Sequence, residues 1–299
     1  MTDATDKEKK IEDDGETAPG DRKMPLLEHL VELRNRLMYA CGALLIAFLA
    51  CYYFSDKIYL FLTQPLVRAY TILDQVRGAT GADPLAGRRM IFTAPQEAFI
   101  TYLKVAFFAG AFISFPIIAS QLWMFVAPGL YKNEKRAFLP FLAATPILFF
   151  MGGALVYYVV APFAFTFFLS FQTGGGEGVL PIELETRVGE YLSLIMQFIF
   201  AFGLCFQLPV LLTLLVRVGI LSSEQLASKR RYAIVGAFIV AAVLTPPDVL
   251  SQISLALPIV LLYEISIWCS KLVERKRAQR EAEEAAKEAE EEAKTAASS

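Results

Sequence analysis

Between Leu37 and Trp268 the chain consists of long apolar runs separated by short charged stretches, and no other feature limits its fold as severely. A backbone that crosses a hydrocarbon layer of about 30 Å must satisfy its own polar groups, which takes a helix of about 20 mostly apolar residues. By that rule six spans are predicted, at 37–55, 97–125, 138–170, 191–216, 232–245 and 249–269. Composition agrees. Of the 299 residues 56% are hydrophobic and 19% charged, with a mean hydropathy of +0.47, too apolar for a chain whose main solvent is water. The predicted fold class is an all-α polytopic membrane protein with six transmembrane helices, the fifth and sixth short.

Several spans carry irregularities. The third is long enough to tilt or to end in an interfacial turn near Pro162, and Pro209 is predicted to kink the fourth. Tyr232–Leu244 offers only 13 apolar residues before Thr245, Pro246, Pro247 and Asp248 interrupt it. Two readings stand: a helix extended by its flanks, or a short hairpin that thins the bilayer locally. Upstream of the first span, Leu26, Leu30, Leu33 and Leu37 recur at helical spacing, which predicts an amphipathic helix along the membrane surface that runs into span one. The stretch from Asp56 to Gln96 reads as a long loop on the opposite side.

Lysine and arginine in the loops set the orientation. Arg22, Lys23, Arg34 and Arg36 precede span one; Lys132, Lys135 and Arg136 follow span two; Arg217, Lys229, Arg230 and Arg231 follow span four; Lys271, Arg275, Lys276 and Arg277 follow span six. All four groups fall on one side, so both termini are predicted to be cytoplasmic. Lys57, Arg68, Arg77, Arg88 and Arg89 in the loop after span one run against this pattern without reversing it. The expected organisation is a charged, disordered N-terminal tail (1–23), a six-span membrane domain (24–271) and a charged C-terminal tail (272–299), either a solvated helix or disordered. Residues 1–23 lack an apolar stretch with a cleavage site, so span one is expected to be retained.

Absences narrow the chemistry. His29 is the single histidine, no phosphate-binding GxxxxGK[ST] loop occurs, and Cys41, Cys51, Cys205 and Cys269 show no metal-ligand spacing. No catalytic site, metal or cofactor is expected, and nucleic acid is not an expected partner. The polar residues near or within the spans are Glu97, Lys104, Gln121, Gln197, Gln207, Gln252 and Glu264, which must face protein or water. Lys104 and Glu264 read either as ion pairs with another span or as parts of a proton path; Gln207 reads either as an interhelical hydrogen bond or as a docking group. Glu32, one helical turn before Arg36, and Glu134, between Lys132, Lys135 and Arg136, have by themselves the pattern of surface ion pairs.

Six stretches nevertheless recur together in one known family. HLVELRNRL before span one, FTAPQEAF at the start of span two, QLWMFVAPGLYKNEKR after it, AFGLCFQLPV in span four, KRRYAIVGAF at the start of span five and LTPPDVLSQ between spans five and six resemble the TatC family in order and spacing, across about Pro25 to Lys271. The resemblance implies a receptor for folded proteins that carry a signal with two adjacent arginines. Its partners would be such signal peptides, single-span TatA-type and TatB-type proteins, further copies of the chain and the bilayer. The setting would be the inner membrane of a prokaryote, with the proton-motive force as the driving energy. It further implies that Glu32 and Glu134 read the arginine pair. Phe125, Pro128 and Tyr131 fall at motif positions that shape the inner loop on the same face, Arg34 falls in the motif around Glu32 and would orient that carboxylate, and Pro65 and Asp248 fall at outer-face motif positions. Many family members carry glutamate where this chain has Gln207; a neutral amide still supports docking of the single-span partners, with no proton carrier required at that position. The rival class, an ion-coupled transporter, predicts paired mid-membrane charges and inverted repeats, neither of which is visible. An intramembrane enzyme would need a nucleophile and base that the chain does not display.

Overall fold

The computed structural model describes residues 26–78, 87–126, 135–173, 180, 182, 184–244 and 249–298. Helices dominate: α1 (Leu26–Tyr53), α2 (Ser55–Val76), α3 (Pro95–Val126), α4 (Lys135–Leu155), α5 (Ala161–Ser170), α6 (Val188–Cys205), α7 (Leu208–Arg217), α8 (Ser223–Ser228), α9 (Arg230–Leu244) and α10 (Val249–Ser298). Two strands of two residues, β1 (Met90–Ile91) and β2 (Thr186–Arg187), pair in parallel.

Five helical stretches are long and apolar enough to cross a membrane: Leu30–Tyr53, Pro95–Phe125, Pro140–Ser170, Val188–Arg217 and Gln252–Glu290. The predicted fifth span falls on α9, whose 15 residues reach only about 22 Å, less than the hydrocarbon thickness, so it is not among these five. The expected surface helix and span one form a single 28-residue helix, α1, with Leu30, Leu33 and Leu37 exposed along it. At the other end α10 continues without a break for 50 residues, about 75 Å, so the C-terminal tail is a helix that extends the last span.

The segment expected to be a loop after span one is largely folded. Its first part is α2, which runs beside the second half of the third span. Phe61 stacks on Tyr157 with ring centres 4.3 Å apart, and Arg77 Nη2 donates to the Gln172 carbonyl at 2.8 Å. Leu62, Leu66, Ala69 and Leu73 of α2 are buried against Phe165 and Leu169 of α5 and Leu192 and Ile195 of α6, the main apolar core. Two of the arginines that opposed the charge rule, Arg77 and Arg88, are bonded within this cap. Arg88 binds both oxygens of Asp74, at 2.8 and 2.6 Å, and covers the Tyr70 ring at 4.3 Å. The positive charge of these two serves the packing of a folded cap.

Proline explains where the long spans depart from regular helix. Span three continues through Pro162 by means of a π-helical turn, Val156–Val160, in which the Ala161 N–H reaches back five residues to the Val156 carbonyl. Pro162 cannot donate to Tyr158, and the wider turn absorbs the missing bond. Span four breaks at Phe206–Gln207, between α6 and α7, two residues before Pro209, as the sequence predicts. Close crossings need the smallest side chain. A Cβ at Gly203 of α6 would lie 2.6 Å from the Phe149 ring of α4, and one at Gly110 of α3 would lie 2.8 Å from the Phe48 backbone of α1.

Candidate functional site

Two polar centres stand out, one at the start of α1 and one at the break in span four. On α1 the Arg36 Nε donates to Glu32 Oε1 at 2.9 Å, and Arg36 Nη2 binds the same oxygen. The pair spans one helical turn, as the spacing predicts. Among the described residues Oε2 of Glu32 accepts no hydrogen bond, and the side chain keeps 22% of its surface exposed. A carboxylate held on one oxygen still presents the other to an incoming donor. Arg34 does not orient Glu32: it is exposed and its Nη2 points to Asn35 Oδ1 at 3.4 Å. Arg36 holds that position instead, because the (i, i+4) spacing places it on the face of Glu32 and the (i, i+2) spacing turns Arg34 away. Phe125 lies one residue from the end of α3, partly buried. Glu134, Pro128, Tyr131 and Asp248 lie outside the described residues.

Around the break, Gln207 Nε2 donates to the Thr145 carbonyl of α4 at 3.0 Å and to the Gly203 carbonyl at 3.4 Å. Both partners are acceptors, so the amide nitrogen must face them and the amide oxygen must face away. That oxygen is buried and has no hydrogen-bond partner among the described residues. Thr145 is the hub of this centre. Its hydroxyl accepts from Trp123 Nε1 of α3 at 2.9 Å and donates to the Phe141 carbonyl at 3.0 Å. One threonine thus ties the second, third and fourth long spans together. Sequence reading missed Trp123 and Thr145. The available signal was the indole N–H of a tryptophan near the end of an apolar run, a donor that needs a partner wherever it is buried.

The other polar residues of the spans are placed as follows. Glu264 of α10 forms a two-pronged ion pair with Arg230 at the start of α9, at 2.8 and 3.0 Å, which is the ion-pair reading. Gln252 Nε2 donates to the Phe238 carbonyl at 3.2 Å, a second tie between α10 and α9. Lys104 is exposed and has no ion-pair partner among the described residues. Glu97 accepts from the Thr93 N–H at 2.8 Å and from the Gly189 N–H at 3.3 Å, joining the first turns of α3 and α6. Pro65 is buried inside α2; its ring has no N–H for the Phe61 carbonyl, and Tyr157 Oη donates to that carbonyl at 2.8 Å.

Comparison with known proteins follows the same lines. Residues 28–258 match the family model described as TatC, Sec-independent protein translocase protein. A Sec-independent protein translocase protein TatC from Magnetococcus marinus is 50% identical over 264 residues, covering 88% of this chain and 90% of the relative. One of the same name from Escherichia coli is 39% identical over 257 residues, covering 86% and 92%. A crystal structure titled as the twin arginine translocase receptor TatC superposes with a TM-score of 0.67 at 34% identity, covering 82% of this chain and 99% of that one.

Proposed function

The chain belongs to the TatC family of Sec-independent protein translocase proteins, and from that premise we propose how its residues serve a twin-arginine signal receptor. It is a multi-pass membrane protein and not an enzyme. In the proposed topology α9 is a short sixth span, both termini face the cytoplasm, and the α2 cap faces outward. The lysine and arginine distribution supports this orientation. The membrane is the inner membrane of a prokaryote, and residues 24–271 form its membrane domain, flanked in the sequence by the charged segments 1–23 and 272–299.

The observation that carries the reading is the second oxygen of Glu32, which accepts no hydrogen bond among the described residues while Arg36 holds the first. A guanidinium presents a planar fork of donors that a carboxylate accepts at two points, whereas lysine presents a compact point charge. Glu32 and Glu134 together therefore prefer two arginines over two lysines, each charge-assisted bond contributing about 1.5–3 kcal/mol. Phe125, Pro128 and Tyr131 complete the signal-binding face, Arg34 borders it from the adjoining side of α1, and the apolar stretch of the signal lies along the spans.

Gln207 is the proposed docking group for single-span TatA-type and TatB-type partners. Its amide oxygen is unpartnered but buried, so docking requires the side chain to turn it toward a hydroxyl, amide or protonated acid of the partner helix. Pro65 shapes the outer cap, and Asp248 is the second residue at an outer-face motif position. Further copies of the chain assemble with it, and the proton-motive force drives transport of folded cargo.

The deciding experiment measures binding of a fluorescent twin-arginine signal peptide and its Lys-Lys variant to the full chain in lipid nanodiscs, with Glu32→Ala and Glu134→Ala alongside. Preference for the arginine pair, lost in either variant, is the expected result. Equal binding of both peptides to all three proteins, with partners present, overturns the assignment.

A further inference from the structure

We propose that Arg68, seated on Tyr157 and Tyr158, binds the phosphodiester headgroup of an anionic phospholipid in the leaflet on the α2 side. Its guanidinium carbon lies 5.6 Å from the Tyr157 ring centre and 5.0 Å from that of Tyr158. Tyr158 belongs to Pro140–Ser170, one of the stretches long and apolar enough to cross a membrane, and 56% of it is exposed. A cation pressed against the exposed side of a spanning helix is costly in hydrocarbon, so this level of the molecule belongs to the headgroup layer. Tyrosines collect at that layer, and Tyr53 at the end of α1, 83% exposed, has the same amphipathic character. Lys57 Nζ lies 5.6 Å from the Phe54 ring in the turn that follows.

The π-helical turn builds the seat. It sends Tyr157 inward, 4% exposed and bonded to the Phe61 carbonyl, while its neighbour Tyr158 faces outward. Arg68 bridges the two rings from α2 above them. The other arginines of the cap that carry hydrogen bonds spend them on protein: Arg88 on Asp74, Arg77 on the Gln172 carbonyl. Among the described residues Arg68 has no carboxylate and no hydrogen-bond acceptor, only the two ring faces. Ring faces fix the plane of a guanidinium and leave its edge free, and two oxygens of a phosphodiester match that edge. The residues involved take no part in the proposed signal-binding face, so this inference stands or falls apart from it.

The test is native mass spectrometry of the full chain in detergent, titrated with phosphatidylglycerol, with a monogalactosyl diacylglycerol of the same acyl chains, and with inorganic phosphate. The expected result is one phosphatidylglycerol held selectively, bound about tenfold more weakly by Arg68→Ala and to an intermediate degree by Arg68→Lys, because lysine keeps the charge without the fork. Excess inorganic phosphate is expected not to displace it. Circular dichroism checks folding; if Arg68→Ala unfolds, Arg68→Lys and Tyr158→Ala carry the comparison. Unchanged phosphatidylglycerol binding in the folded variants overturns the proposal, as does equal binding of the galactolipid. Displacement by inorganic phosphate also overturns it and assigns the seat to a soluble anion.

Discussion

Pro65 and Tyr157 act on one carbonyl: the proline withholds the helical N–H that Phe61 O would receive, and the tyrosine hydroxyl supplies a bond to it at 2.8 Å. An interior proline, a defect in α2 taken alone, thereby becomes the point where α2 is fastened to the third span. Tyr191 Oη of α6 holds the neighbouring carbonyl, donating to Leu62 O at 2.8 Å. Tyr157→Phe leaves a buried acceptor unsatisfied and is expected to cost about 1–3 kcal/mol. Pro65→Ala restores the helical donor, so the two changes are expected to be non-additive. Thermal unfolding of the four proteins of that cycle in nanodiscs measures the coupling, and strict additivity would refute it.

Acid should loosen the same cap. The Arg88 guanidinium bonded to Asp74 holds its carboxyl below the usual carboxylate range. A depressed folded value means that the stabilisation is fully present above about pH 4, where the unfolded carboxyl is already ionised, and is lost as pH falls through the folded value. Hydrogen exchange of α2 between pH 6 and pH 3, corrected for intrinsic rates, is expected to rise in the native chain. The same rise should be much reduced in Asp74→Asn, which has no proton to take up.

Recognition at α1 depends on which oxygen of Glu32 is free. Arg36→Ala removes the group that fixes the carboxylate, so signal binding is expected to weaken less than in Glu32→Ala. Glu32→Gln keeps the shape but gives up the charge, and a loss of about ten- to hundredfold in affinity for the arginine-pair peptide is expected. Peptide titrations at two salt concentrations check this, since only the charged pair is sensitive to screening.

Gln207 separates fold from docking. Gln207→Leu gives up two donated bonds to backbone carbonyls, and a modest stability loss of about 0.6–2 kcal/mol is expected. Co-purification of a single-span partner should fall much further than that loss accounts for. Should partner recovery track stability alone, the docking role is refuted and the residue is a patch for the helix break.

Tight crossings set the strongest sensitivity to size. At Gly203 any larger side chain meets the Phe149 ring, at 2.6 Å from an added Cβ. Gly203→Leu is therefore expected to destabilise the bundle by about 1–3 kcal/mol or more, while Gly42→Leu, with nothing within 4 Å of its Cβ, should be close to neutral. Thermal midpoints of the two variants decide it.

Sequence by itself determined the apolar spans, the break before Pro209 and the Glu32–Arg36 pair. These are local quantities: a run of apolar residues, a missing N–H, a spacing of one helical turn. The motifs also placed the chain in its family, which the comparisons bear out. Only the tertiary structure decided that residues 55–76 form a helix packed on the third span, that Glu264 pairs with Arg230, and that Trp123, Thr145 and Gln207 meet. The physical reason is the same in each case. Partners 22 to 96 residues apart are brought together by helix crossings and proline-freed carbonyls, and the periodicity of one helix says which face it buries but not which atom of another helix will meet it there.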